Sequence, residues 1–267
     1  MKSKVIVLRT AGTNCDKETG YAFKTAGAQT VDLVHINRLF KKEVKLSDYN
    51  IMAIPGGFSF GDDISAGKVF ANKLIYQLSG ELKKFVDSGK LIIGICNGFQ
   101  VLVKTGLLDI DNEQSQTLSF NDSAKFECRW VNLKISNFKS QISNQQTTNI
   151  WTKNLPEIIQ LPVAHAEGKF ITRDESITDE LEENGRIMFQ YCDEEGDLAD
   201  YPYNPNGAQE NIAGICDKTG RVLGMMPHPE RYIMKYQHAA WTAKELDETG
   251  SGFHIFKNAV DYIKNNL

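Results

Sequence analysis

Short apolar runs alternate with stretches of helical periodicity from the start of the chain. Lys4 to Arg9, carrying Val5-Ile6-Val7-Leu8, predicts a strand. Asp16 to Ala26 predicts a helix that Gly27 ends, and Thr30 to Ile36 a second strand. Ile51-Met52-Ala53-Ile54 predicts a third strand. Ala66 to Val86 then places apolar residues at helical spacing, with Gly89 as terminator. Such β-α alternation predicts an α/β fold: a doubly wound, mostly parallel central sheet with flanking helices. Ligands in sheets of this kind bind at the carboxyl ends of the strands.

The C-terminal half has a looser pattern. Phe126 to Ile135, Ile158 to Pro162 and Arg186 to Tyr191 predict strands. Ile212 to Cys216 and Arg221 to Met226, joined through Lys218-Thr219-Gly220, predict a hairpin. Phe138 to Lys153 is rich in Gln, Asn, Ser and Thr and predicts a surface loop or insertion. Gly250-Ser251-Gly252 breaks the chain before a closing amphipathic helix, Phe253 to Asn265. With no internal repeat and no clear linker, residues 1–267 read as a single domain.

One junction carries more chemistry than the others. Leu91-Ile92-Ile93-Gly94-Ile95 has the pattern of a buried strand, Cys96-Asn97-Gly98 follows at once, and Phe99 to Val103 opens a helix that stops near Gly106. Strand, G-x-C-x-G, helix is a nucleophile elbow with sulfur in place of a serine oxygen. Gly94 and Gly98 allow a tight turn and hold the side chain clear of neighbouring backbone. The positive end of the helix dipole favours the thiolate at such a position. A free cysteine is most often a small buried hydrophobe. Glycines on both sides at this spacing argue against that reading of Cys96.

Composition narrows the setting. The 267 residues are 41% apolar and 24% charged, ordinary values for a soluble globular protein. A net charge of −4 leaves no basic footprint for nucleic acid. Five dispersed cysteines without a C-x-x-C pair argue against a disulfide framework and a zinc site, and fit a reducing, cytoplasmic setting. The apolar run after Met1-Lys2-Ser3-Lys4 is too short for a signal peptide, and no run reaches the length of a membrane span.

A nucleophilic cysteine needs a base, and the base an orienting partner. Of the five histidines, His228 stands out, directly after a predicted strand in Pro227-His228-Pro229-Glu230-Arg231. The prolines keep this segment out of a helix, and in an extended segment His228 and Glu230 leave from the same face. Glu230 then takes one ring nitrogen while the other faces Cys96. Oxyanion donors follow: the N–H of Asn97, the residue after the nucleophile, and side-chain-free backbone at Gly56-Gly57. Gly61 to Val69 is a poor phosphate loop, with the wrong spacing and Val69 after Lys68. Asp62, Asp63 and Glu194-Glu195 read as solvated faces, and Cys15, Cys128, Cys192 and Cys216 as structural.

With Cys96, His228 and Glu230 in hand, the chain resembles the class I (triad) glutamine amidotransferases. Gly56-Gly57-Phe58-Ser59-Phe60-Gly61-Asp62, Gly94 to Gln100 and Met225 to Arg231 are similar to blocks of the glutaminase subunits of phosphoribosylformylglycinamidine synthases. So are Gly12-Thr13-Asn14-Cys15-Asp16, Cys128 to Val131, Pro162 to Gly168, and Asn204-Pro205-Asn206-Gly207 leading into Asn211 to Ile215. These blocks run from Val5 to Arg231. The polar stretch at 138–153 and the residues at 233–252 make the chain longer than compact family members. Asp63-Ile64-Ser65 lacks a basic residue that many relatives carry.

The resemblance implies that Cys96 attacks the side-chain amide of glutamine while the N–H groups of Gly57 and Asn97 hold the oxyanion. His228, held by Glu230, protonates the leaving ammonia and then activates water against the glutamyl thioester. Gly56, Phe58 and Gln100 belong to the glutamine site, with His165 and Glu167 from the H-x-E-G block nearby. The resemblance implies no cofactor or metal in this chain. ATP and magnesium belong to a separate synthetase subunit that receives the ammonia, and a small bridging subunit commonly joins the complex. Another cysteine-elbow γ-glutamyl hydrolase of the same fold is the alternative enzyme, and a non-catalytic regulatory subunit the alternative of a different class.

Overall fold

A computed structural model of the chain describes residues 3–109, 114–136 and 150–267. Its centre is a nine-stranded sheet. The strands are β1 (Lys4–Arg9), β2 (Thr30–His35), β3 (Ile51–Ile54), β4 (Leu91–Ile95), β6 (Glu127–Ile135), β7 (Ile158–His165), β9 (Ile187–Cys192), β10 (Ile212–Cys216) and β11 (Val222–Met225). Their order is β2-β1-β3-β4-β11-β10-β9-β6-β7. The first five are mutually parallel, and beyond them only β10 and β6 run against the rest. A two-stranded sheet of β5 (Gln116–Ser119) and β8 (Lys169–Thr172) lies apart.

The parallel strands β1, β3 and β4 carry continuous apolar runs because both of their faces are covered. From β1 the chain crosses to β2 on one side, and from β3 to β4 on the other. Right-handed crossovers therefore put the intervening helices, α1 (Asp16–Thr25) and α3 (Lys68–Asp87), on opposite faces. α1 packs on α6 (Ser251–Asn266), with Phe23 against Phe256 edge to face at 4.8 Å. α3 buries Phe70, Leu74, Leu78, Leu82 and Phe85 along one stripe and packs on α4 (Asn97–Thr105).

Three expectations from sequence need correction. α3 starts at Lys68 rather than Ala66, because Gly67 takes φ +73° and closes against the backbone of Val101. Most of the predicted surface loop at 138–153 lies outside the described residues. Its last part, Ile150 to Lys153, is no surface loop: Ile150 and Trp151 are buried, and Trp151 Nε1 donates to the carbonyl of Gly220. The third concerns β5, β8 and two helices, α2 (Ile36–Phe40) and α5 (Glu175–Glu183), which the apolar pattern does not announce.

The glycines flanking Cys96 serve close approach rather than positive φ. A Cβ on Gly94 would sit 2.5 Å from the carbonyl oxygen of Gly98, and one on Gly98 only 1.8 Å from that of Ile54. α4 thus crosses β3 and β4 at a distance that only glycine permits. Gly98→Ala is expected to destabilise the fold by at least about 1–3 kcal/mol through overpacking. Urea unfolding measures this, and an unchanged midpoint would show that α4 does not ride so close.

Candidate active site

Four adjacent parallel strands, β1, β3, β4 and β11, deliver their carboxyl ends to one place. The segments that follow them carry Cys15, Gly56-Gly57, Cys96 and His228. The strand order also reverses here, between β1 and β3, which opens the crevice where such sheets bind ligands. A pocket of about 200 Å³ occupies it, lined among others by Gly57, Phe58, Asp62, Cys96, Gln100, His165, Glu167 and His228.

Cys96 stands immediately before α4 with φ +52° and ψ −107°. For a residue with a side chain this is a strained conformation, costing roughly 1–3 kcal/mol. It is held from both sides. The Cys96 N–H donates to the carbonyl of Met225 on β11 at 2.8 Å, while its own carbonyl accepts from the N–H groups of Phe99 and Gln100. The thiol is turned into the pocket and reaches the carbonyl of Ala164 at 3.6 Å.

His228 N–H donates to the carbonyl of Pro162, which ties the segment after β11 to β7. Its Nδ1 lies 2.7 Å from Glu230 Oε1, both side chains being almost fully buried. Against a carboxylate Nδ1 carries the proton, so Nε2 is the free position, and among the described residues no nitrogen or oxygen hydrogen-bonds to it. Burial opposes charging the ring, but the carboxylate of Glu230 and the sulfurs of Cys96 and Cys15 outweigh it. The pKa of His228 therefore stands well above the usual histidine value. The expected extended segment is in fact a single 3₁₀ turn over Pro229–Arg231, with Pro229 at its first position. The pairing of His228 with Glu230 is made all the same.

The other expected residues divide into those at the pocket surface and those beneath it. Gly57 and Phe58 line the pocket; Gly57 takes φ +135° and packs on the backbone of Gly12 to Asn14. Gly56 lies beneath, where a Cβ would stand 2.8 Å from His228 Cε1, 3.3 Å from Cys15 Sγ and 3.5 Å from Cys96 Cβ. Asn97 is buried, and its side chain donates to Asp62 Oδ1 at 2.8 Å and Gln100 Oε1 at 3.0 Å while accepting from Ser59 N–H. Its backbone N–H is in the first turn of α4. Gln100 Nε2 donates to the backbone carbonyl of Glu167 at 2.6 Å, and Glu167 Oε2 accepts from Ala66 N–H. Gln100 and Glu167 thus brace the pocket walls against each other.

His165 Nδ1 faces Asn121 Oδ1 at 3.1 Å, and the Asn121 amide is oriented by donating to the carbonyls of Lys125 and His165. Nδ1 therefore carries the proton. Burial, helped by His228, lowers the pKa of His165 to about 4, so the ring is neutral.

Two residues read as bystanders in the sequence belong to the site. Asp62 lines the pocket and accepts from Asn97 and from Gly67 N–H, so it is not a purely solvated charge. Burial raises its pKa against those bonds. Cys15 also lines the pocket, is buried, and sits beside His228 with Arg231 Nη2 at 3.1 Å from its sulfur. Among the described residues, Cys15, His228 and Glu230 place one ligand atom each within 4.8 Å of one another. The His228–Glu230 bond and the Arg231 cation both oppose a metal ion there.

A buried base held by a carboxylate, facing a thiol at a strained elbow, can carry acyl transfer through a thioester. The profile of the CobB/CobQ-like glutamine amidotransferase domain matches residues 2–263. The chain is 45% identical to the phosphoribosylformylglycinamidine synthase subunit PurQ of Methanococcus maripaludis over 98% of its length and 99% of that protein's. It is also 45% identical to the corresponding subunit of Dehalococcoides mccartyi, with 98% of each chain covered. In structure it is similar to a chain of PurLQS from Thermotoga maritima, with a TM-score of 0.71, 30% identity, and 98% of this chain and 100% of that one covered. Among the described residues no helix is long and apolar enough to cross a membrane.

The raised His228 titration has a defined sign. Its charged form contributes stability that is complete below the unfolded value of about 6.5 and is lost as pH rises through the native value. Glu230→Gln is expected to lower that native titration, seen by NMR of the ring, and to cut turnover about 10⁴-fold. An unmoved His228 titration would show that Glu230 does not hold the imidazolium.

Proposed function

As this chain belongs to the CobB/CobQ-like glutamine amidotransferase family, we propose that it is the glutaminase subunit of a phosphoribosylformylglycinamidine synthase. The Cys96 thiolate attacks the side-chain amide carbon of glutamine. The resulting oxyanion sits against the backbone N–H groups of Gly57 and Asn97. Collapse expels ammonia, which takes its proton from His228, and leaves a glutamyl thioester on Cys96. His228 then draws a proton from water, and the hydroxide attacks the thioester to free glutamate. Glu230 keeps the imidazole in the required tautomer throughout.

Ammonia then passes to a synthetase subunit, which converts the formyl amide of its substrate to an amidine. That step needs an activated carbonyl, so ATP and magnesium reside on the synthetase. A small bridging subunit completes the assembly, as the PurLQS neighbour suggests. Phe58 and Phe126 line the pocket yet are about half exposed, and Ile64 projects from the adjoining loop. This apolar rim suits the docking of the synthetase.

The observation that carries the reading is His228, locked on Glu230 at 2.7 Å beside the thiol of a residue forced to φ +52°. Cys96→Ala tests it. Assembled with the synthetase, the variant should lose glutamine-dependent amidine formation by about 10⁴-fold or more while keeping synthesis from added ammonium salt. Intact glutamine-dependent synthesis would mean that the chain only binds or regulates.

A further inference from the structure

The pocket holds two thiols, and the glutaminase reaction uses one. Cys15 caps α1, a ten-residue helix, as Cys96 caps α4, so each sulfur sits at the positive end of a helix dipole. Arg231 donates to Cys15 Sγ at 3.1 Å and is held in place by Glu18 on α1. Both sulfurs lie near enough to the buried His228 imidazole to favour its charged form. Both cysteines approach Gly56, whose missing Cβ would stand 3.3 Å from Cys15 Sγ and 3.5 Å from Cys96 Cβ, so Cys15 Sγ lies within 6.8 Å of Cys96 Cβ. The absence of a Cβ on Gly56 lets both cysteines and the His228 ring, whose Cε1 would be 2.8 Å from that Cβ, converge on one spot. Burial raises the pKa of the Cys15 thiol, and the neighbouring His228 and Arg231 work against that rise.

We propose that Cys15 is a resolving thiol for Cys96, so that peroxide converts the pair to a Cys15–Cys96 disulfide that switches the site off reversibly. In the first step the Cys96 thiolate takes one oxygen from hydrogen peroxide, giving the sulfenic acid and hydroxide, which His228 protonates to water. In the second, the Cys15 sulfur attacks the sulfenic sulfur, the S–S bond forms, and the expelled hydroxide takes the proton given up by Cys15. Two thiols lose two hydrogens and two electrons, and one peroxide becomes two waters. Without Cys15 the sulfenic acid has no local thiol to meet and continues to the sulfinic acid, which simple reductants do not reverse. Both sulfurs line the pocket, so peroxide reaches them by the route that glutamine takes.

The test is to treat the purified chain with hydrogen peroxide, block remaining thiols, and map the peptides by mass spectrometry without reduction. The expected product is a Cys15 peptide joined to the Cys96 peptide, lighter by two hydrogens and released by dithiothreitol. Cys15→Ser should give no such link and instead collect Cys96 carrying two or three added oxygens, which dithiothreitol does not remove. Native protein that collects the same over-oxidised Cys96 without the link would overturn the proposal. So would Cys96 linked to Cys216 or Cys192 in place of Cys15. The native result decides the matter even should Cys15→Ser fold poorly. A mass readout also keeps this proposal separable from the glutaminase assignment, since the link forms or fails whatever substrate the site takes.

Discussion

Cys96 occupies a backbone conformation that a side-chain-bearing residue takes only where its surroundings compel it. The compulsion is geometric. β4 must end and α4 begin within one residue, while α4 lies so close over β3 and β4 that Gly94 and Gly98 leave no room for a Cβ. The bond from Cys96 N–H to Met225 then fixes the elbow to β11, the strand that leads to His228. Cys96 and His228 are thus positioned by the same strand pair. A shift of α4 by a few tenths of an ångström would be felt at both.

Burial sets the electrostatics around that frame. His228 and Glu230 are nearly inaccessible to solvent, so the charge on one is stabilised chiefly by the charge on the other. Two neighbouring imidazoles have opposite fates. His165, facing an amide oxygen, is kept neutral, whereas His228, facing a carboxylate and two sulfurs, is favoured as the cation. One wall of the pocket is therefore a neutral acceptor and the other a proton carrier. Asp62, Asn97, Gln100 and Glu167 form the brace between them and tie the loop after β3 to the loop after β7.

Much of this was legible in the residues because the signals are local. β1, β3 and β4 follow from unbroken apolar runs, and Cys96, His228 and Glu230 each sit in a short contiguous motif at a strand end. What escaped is what depends on residues far apart in the chain. Cys15 has no elbow of its own; its meaning comes from Arg231, 216 positions away. Asp62 looked solvated because Asn97, its partner, lies on another element. Trp151 sits among polar residues yet is buried, since its indole meets Gly220 on a distant turn. α5 buries only Ile177, Thr178 and Leu181, too sparse a stripe to stand out from its acidic neighbours.

The central claim is that the Cys96 thiol is the group that meets glutamine. It is tested most directly by treating the chain with a diazoketone analogue of glutamine and locating the adduct, with and without excess glutamine. The account predicts a single adduct on Cys96 that glutamine suppresses. An adduct on Cys15, or one on Cys96 that glutamine leaves unaffected, would contradict it.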